Sequence, residues 1–455
     1  MVVLKVSFFI ILKFAKNINS VNAMKNKIKN IEVITLGCAK NIVDSERLME
    51  QLKLNNVNLV GNAEDAEAVI INTCGFIEDA KQESINTILN AIEAKKNNKI
   101  KKVIVAGCLS ERYKSDLEKE LPQVDAFLGT EDYRGILDQF DYSLKENLLG
   151  ERVVTTPNHY AYIKISEGCD NPCSFCAIPL MRGKHKSKPI EFLINEATAL
   201  AKKGVKELII IAQDTTDYGK DIYGKRSIAK LLRELSKVTG IEWIRLLYAY
   251  PSHFPDDLIE EIKTNPKICK YIDMPLQHIS DNVLKSMRRG ITKNTTIKLI
   301  RKLKENIPGL TLRTTFITGY PTEGEKEFNE LYNFIEDIQF DRVGIFKYSR
   351  EENTPGFILG DPVDDTIKEE RLATLMELQS SISAKKNKSF VRKVLKVVID
   401  DLRDNYYIAR SERDTPEVDG EILIENNGKS LEIGKFYSVE IIDANEYDLF
   451  GNIII

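Results

Sequence analysis

Apolar residues along this chain fall into three successive patterns, and each predicts a different architecture. Up to about residue 145, short β-branched runs alternate with longer helical stretches. The runs IEVITL (31–36), AVIIN (68–72) and KVIVA (102–106) each end at a turn or polar residue and are predicted strands. Stretches 42–53, 77–96 and 110–120 are predicted helices. The second carries Ile85, Ile88, Leu89 and Ile92 on one face. Alternating strand and helix predicts a parallel sheet covered by helices.

From about 160 a second βα series begins. Its strands are YIKIS (162–166), ELIIIA (207–212), WIRLLYA (243–249), YIDMP (271–275), LRTTFIT (312–318) and RVGIFKY (342–348). Helical stretches such as 190–203 and 226–238 separate them. Six βα units predict a partial or full barrel, whose chemistry belongs at the carboxyl ends of the strands. A helix over 365–386 has an inner stripe of Leu372, Leu375, Met376, Gln379 and Ile382.

Beyond 390 the period shortens again. KVLKVVID, NYYIARS, GEILIE, KFYSVEII and YDLFGNIII are five short strands, with Asp419-Gly420 and Asn427-Gly428 among their turns. They predict a small closed or partly closed β-barrel. The domain boundaries are therefore set at 24–145, 155–388 and 390–455.

Composition adds little to this until it is resolved by region. A hydrophobic content of 43% and charged content of 29% are ordinary for a globular protein. The net charge of −3 gives no global nucleic-acid signature. No run reaches the roughly 20 apolar residues of a membrane span. Residues 390–455, however, hold eight Lys or Arg and fourteen Asp or Glu, a net charge of −6. An acidic barrel suits a basic protein partner and disfavours a phosphate backbone, although solvated surface charge would read the same way. Residues 1–23 have a short apolar heart and end in Val-Asn-Ala, like a secretory signal. Met24, followed by KNKIKN and a strand, is the preferred start, with the preceding residues an upstream mis-called segment.

Cysteines carry the chemistry. Cys169, Cys173 and Cys176 form C-x₃-C-x₂-C in SEGCDNPCSFCAIPLMRG, just past the first strand of the second series. Three thiolates can hold three irons of a [4Fe–4S] cluster and leave the fourth open. Zinc is the competing reading, with His185 as the local fourth ligand, but structural zinc sites usually use paired knuckles. Seven cysteines, an odd number, argue against a disulfide scaffold. Cys38, Cys74 and Cys108 follow the ends of the first three strands in TLGC, INTC and VAGC. Ligands of open parallel sheets bind beyond those ends, so the three predict a second metal cluster. Three separate core cysteines are the plainer alternative. The flanking Gly37, Gly75 and Gly107 would let the backbone approach a cluster closely. Cys269 is expected in the core.

Together these features resemble the radical S-adenosylmethionine (SAM) methylthiotransferases, over residues 31–455. That resemblance implies two [4Fe–4S] clusters, SAM, a radical SAM barrel and a TRAM domain, an OB-like β-barrel. It further implies that the open iron at Cys169, Cys173 and Cys176 binds SAM, whose cleavage yields a 5′-deoxyadenosyl radical. The cluster on Cys38, Cys74 and Cys108 would hold the transferred sulfur. Runs AQDTTDYG (212–219), YIDMPLQHISDNVLKSMRRG (271–290), RTTFITGYP (313–321), ARSERDTPEVDG (409–420) and EYDLFG (446–451) are similar to the RimO branch. That branch modifies an aspartate of ribosomal protein S-twelve of the small subunit, met free or on the ribosome. An electron donor and a sulfur donor are further implied partners, in the cytoplasm. The MiaB branch, which acts on isopentenyl-adenosine in tRNA, is the alternative; a non-catalytic iron–sulfur module binding ribosomes or RNA is another.

Phe175 matches the superfamily's aromatic position beside the SAM adenine, with packing as the competing role. Gln213 and Asp214 match the strand end that binds the SAM methionyl group. Arg313 and Thr315 are candidates to reach the cavity. Arg182, Lys184, His185, Lys186 and Lys188 form a basic loop that is either a substrate guide or a solvated turn. His278 is expected to make a structural hydrogen bond.

Overall fold

The computed structural model describes residues 28–62, 64–145, 151–428 and 430–454. Residues 1–23, and with them the leader reading, lie outside the described residues. The chain falls into two compact units that divide near residue 148.

In the first unit the strands are β1 (Asn30–Thr35), β2 (Asn58–Leu59), β3 (Ala68–Thr73), β4 (Lys102–Gly107) and β5 (Ala126–Phe127). All pair in parallel, in the order β2-β1-β3-β4-β5. Strand alternation sends Val69, Ile71, Val103 and Val105 to one face, in one core with Ile88 and Ile92 of helix Glu78–Lys96. Ala68, Ile70 and Ile104 go to the other, with Leu48 and Leu52 of helix Ala39–Leu54. Burial on both faces is why these runs are apolar without a polar alternate. Leu89 leaves the predicted helical stripe and is 45% exposed. One residue past Ile88 is about 100° round the helix, so Ser84, Ala91 and Ile92 complete the buried face instead.

The second unit begins with β6 (Tyr160–Lys164), β7 (Ser166–Glu167), β8 (Lys186–Ser187) and β9 (Glu207–Ile211). It continues with β10 (Trp243–Leu246), β11 (Ile268–Asp273), β12 (Thr311–Thr318) and β13 (Arg342–Lys347). Six strands pair in parallel as β13-β12-β11-β10-β9-β6, and β7 and β8 form a small antiparallel ribbon. The sheet runs from β13 to β6 without closing on itself among the described residues, so the barrel is partial. Cys269 lies within β11 and is buried as expected, and burial pushes its thiol up to about 12. On helix Asp365–Lys388, Leu375, Gln379 and Ile382 turn inward, whereas Met376 is 38% exposed.

The tail forms β14 (Val394–Arg403), β15 (Tyr406–Ser411), β16 (Ile422–Glu425), β17 (Phe436–Ala444) and β18 (Leu449–Ile453). They close into a five-stranded barrel around Val397, Ile399, Ile422, Val439 and Ile441. This barrel packs on the amino-terminal ends of the parallel strands. Glu207, the first residue of β9, holds Arg245 at 2.7 Å and Arg410 of the tail at 2.9 Å. Arg410 also pairs with Asp400 at 2.5 Å, and the His159 ring nitrogen lies 2.6 Å from Asp400. Trp243 meets Phe436 edge to face, with centroids 4.8 Å apart. Among the described residues no helix is long and apolar enough to cross a membrane.

Candidate iron-binding sites

β1, β3 and β4 are neighbours in the first unit's sheet, and their register aligns Thr35 with Asn72 and Thr73 with Gly107. Cys74 directly follows β3. Cys38 caps helix Ala39–Leu54, and Cys108 is the first residue of helix Cys108–Glu120. The three cysteines thus stand at the carboxyl edge of three adjacent strands, two of them at helix amino termini that favour an anion. Cys38 is exposed, while Cys74 and Cys108 are buried.

The edge is braced from within. Asn41 Nδ2 donates to the Leu36 carbonyl at 2.7 Å and the Thr73 carbonyl at 3.1 Å, which ties the ends of β1 and β3. Its Oδ1 lies 3.9 Å from Cys108 Sγ. Ser84 Oγ accepts from the Cys74 amide at 3.1 Å and donates to its carbonyl at 2.9 Å. Gly37 has φ +86°, and a Cβ there would lie 2.7 Å from Cys74 Cβ. Glycine is therefore required where the β1 loop passes Cys74. A soft, all-thiol donor set suits iron–sulfur chemistry.

In the second unit the Cys169 loop follows β7, at the end of the barrel opposite the tail. Gly168 opens it at φ +71°, with its Cβ position only 2.1 Å from the Lys184 carbonyl. The Cys169 amide donates to the Gly183 carbonyl at 3.1 Å. Ser174 anchors the middle: its amide donates to Met287 at 3.0 Å, and its Oγ donates to the Ser286 carbonyl at 2.8 Å. Asn171 Nδ2 reaches Asp214 Oδ2 at 2.8 Å and Cys169 Sγ at 3.5 Å. Arg289 Nη1 donates to Cys173 Sγ at 3.3 Å. Burial pushes the thiol of Cys169 up to about 11 and that of Cys176 up to about 12. A thiol binds metal as its thiolate, so iron binding at these cysteines releases protons. Three thiols on one loop, with N–H donors already directed at two of the sulfurs, fit an iron–sulfur cluster.

The other expected residues sort by position. Phe175 is partly buried against Val283, Met287, Tyr320 and Tyr348. Gln213 Nε2 donates to Glu167 Oε1 at 3.0 Å, and its own Oε1 is buried with no hydrogen-bond partner among the described residues. Asp214 is buried, and desolvation raises its pKa against the hydrogen bonds from Thr216 and Asn171. His278 accepts from the Ser280 amide through Nδ1 at 3.0 Å and faces Glu323 through Nε2 at 3.1 Å, a structural role. Arg313 lies under the tail barrel, on Asp273 at 3.0 Å and Asp419 at 3.6 Å, away from the cysteine loop. Thr315 shares β12, and its carbonyl accepts from the Gln277 amide at 2.8 Å. Arg182 and Lys188 do not form a free basic guide. Arg182 pairs with Glu167 at 2.8 Å and Lys188 donates to the Lys164 carbonyl at 2.6 Å. His185 sits against Ser187 at 3.0 Å. Asn41, Asn171, Tyr250 and Arg289 belong to the sites without standing out in the sequence. Only Asn171, inside the triplet, carried a usable local signal.

Three family models match successive parts of the chain. "Uncharacterized protein family UPF0004" covers residues 30–129, "Radical SAM superfamily" 163–335 and "TRAM domain" 391–454. A partial parallel barrel with a three-cysteine loop at its carboxyl end defines a radical SAM protein, one that uses SAM and an iron–sulfur cluster. The solved radical SAM methyltransferase TsrM from Kitasatospora setae shares the fold, with TM-score 0.54 and 13% identity over 72% of this chain and 74% of that one. Curated relatives are much nearer. "Ribosomal protein uS12 methylthiotransferase RimO" of Christiangramia forsetii is 52% identical over 93% of this chain and 94% of its own length. The protein of that name from Chloroherpeton thalassium is 49% identical over 95% and 100%. The chain belongs to the RimO family of ribosomal protein uS12 methylthiotransferases.

Proposed function

We propose that this protein adds a methylthio group to the β-carbon of an aspartate of uS12, with SAM as both methyl donor and radical source. Two thiol triplets in one chain carry this reading. One triplet serves to start a radical, and a second gives a place to hold the sulfur that is transferred. The target follows from the relatives' shared name. On this reading Cys169, Cys173 and Cys176 hold one [4Fe–4S] cluster, and Cys38, Cys74 and Cys108 hold another.

An aspartate β-carbon is unactivated, so removal of its hydrogen by a general base at neutral pH is unfavourable. When bound, the clusters and SAM supply the radical that abstracts this hydrogen and the sulfur that replaces it. The chain's own residues position and shield. Asn171 and Asp214 hold the cysteine loop to the end of β9. Phe175, Gln213 and Asp214 are assigned to SAM, with Gln213 Oε1, which has no partner among the described residues, placed to accept from a ligand donor. Residues 24–145 are assigned as the sulfur-donor domain, 155–388 as the SAM barrel and 390–455 as the partner-binding TRAM domain. An external reductant and a sulfur source complete the reaction, in the cytoplasm.

The acidic tail supports a protein over a tRNA partner, with one adjustment. Asp414 and Asp419 are spent on Arg342 and Arg313 of the barrel and do not face a partner. Mass spectrometry of uS12 and of tRNA from a deletion strain tests the assignment. The uS12 peptide should lose one methylthio group while the tRNA keeps its own; the reverse pattern would refute it.

A further inference from the structure

Arg289 is only 4% exposed. Its Nη1 donates to Cys173 Sγ at 3.3 Å and its Nη2 to the Pro275 carbonyl at 2.5 Å. Its guanidinium stacks on the Tyr250 ring at 4.3 Å, and the Tyr250 hydroxyl donates to the Arg289 carbonyl at 2.8 Å. Nε has no hydrogen-bond partner among the described residues. No carboxylate pairs with this guanidinium among the described residues either.

A buried cation without a counter-charge is costly, and arginine stays protonated under all ordinary conditions. Asp214 acts on it electrostatically but makes no ion pair with it, so the guanidinium calls for a closer anion in the working protein. Of the groups it touches, Cys173 alone is a metal-ligand donor; the others are a carbonyl and an aromatic ring. A three-thiolate [4Fe–4S] cluster supplies that charge, and its sulfides offer acceptors for the unused Nε–H. The turn over 286–290 that carries Arg289 also holds Ser174 through the carbonyls of Ser286 and Met287. One short segment thus grips both the backbone of the cysteine loop and one ligand sulfur.

We propose that Arg289 is the counter-charge of the SAM-binding cluster and sets its reduction potential through Cys173. An added electron makes the cluster more negative, so a fixed cation and an N–H···S bond favour the reduced state. Arg289 is a positioning residue that acts through the ligand, and the inference rests on Cys169, Cys173 and Cys176 holding a cluster.

The test is a redox titration followed by electron paramagnetic resonance. It uses the full chain with Cys38, Cys74 and Cys108 changed to Ala, so that only the barrel cluster is read. Arg289→Gln should lower the reduced-to-oxidised ratio at fixed potential at least tenfold, a midpoint shift of about 59 mV for one electron. Arg289→Lys keeps the charge and should recover most of it. Tyr250→Phe removes the hydroxyl that anchors the Arg289 carbonyl and also lies 3.6 Å from Cys173 Sγ, and it should shift the midpoint the same way by less. If the Gln variant takes up no iron, the Lys and Phe variants decide together, since the Lys variant leaves the Tyr250 hydroxyl beside Cys173 in place. Full iron with an unchanged midpoint in the loaded variants would overturn the role of Arg289. Absence of any cluster signal in the parent would instead defeat the assignment of the three cysteines.

Discussion

Asn171 and Asp214 share one hydrogen bond, Nδ2 to Oδ2 at 2.8 Å, that fastens the cysteine loop to the end of β9. The same amide reaches Cys169 Sγ, so a buried carboxylate fixes the first ligand at one remove. Asp214 is held in turn by Thr216, through its amide at 2.9 Å and its hydroxyl at 2.6 Å.

Asp214→Ala should therefore loosen the loop. Losing buried bonds to a charged acceptor costs about 1.5–3 kcal/mol, which corresponds to roughly 10- to 150-fold weaker SAM binding. Asp214→Asn keeps one acceptor oxygen and should be milder. Titration of the iron-loaded protein with SAM reads the effect. Equal affinity in the Ala variant and the parent would mean that the brace does not matter.

Gly168→Ala meets two obstacles, a left-handed backbone and the Lys184 carbonyl 2.1 Å from the new Cβ. The backbone conformation alone costs about 1–3 kcal/mol for a non-glycine residue. Iron analysis should show a loss of about four irons per chain, one cluster's worth, with the first unit's site still loaded. Full retention of iron would show that the loop tolerates the displacement.

Asn41→Ala should act on the other triplet. It removes one buried and one part-buried bond that tie β1 to β3, at about 1–3 kcal/mol. The expected outcome is loss of methylthio transfer and of the first unit's iron, with cleavage of SAM to 5′-deoxyadenosine preserved. A variant that stops cleaving SAM would contradict the division of labour between the two sites.

The tail seam should respond to acid. Desolvation pushes Asp400 up, but the His159 hydrogen bond and the Arg410 charge outweigh it and hold the carboxyl below its usual 3.8. A depressed pKa stabilises the fold above the unfolded value, and that contribution is lost as pH falls through the folded one. Trp243 is the single tryptophan and packs on Phe436 of the tail, so its fluorescence reports the seam. Asp400→Asn should lower the urea midpoint of this signal above about pH 4, and the difference should vanish in stronger acid. A difference that persists unchanged in strong acid would exclude ionisation of Asp400 as its source.

Much of the fold was legible because strand runs and helical stripes are properties of neighbouring residues. All three layers were expected from periodicity, and the structure contains them. Errors came at the edges of the stripes: Leu89 and Met376 each follow a buried residue, about 100° further round the helix, and face solvent. The candidate site was legible in its thiols and not in its supports. Arg313 looked like a cavity residue because it lies on a barrel strand, but it sits near the strand's start, where the tail barrel covers it.

By itself the sequence determined which atoms can do chemistry. Six thiols lie in two spacings, one local and one at successive strand ends, and these pointed to iron–sulfur sites before any coordinates. Tertiary structure decided which residues steady those thiols. Arg289 meets Cys173 across 116 residues and Asn41 meets Thr73 across 32. Local periodicity carries no information about such pairs. They arise only when strand order and register place distant turns at the same sheet edge.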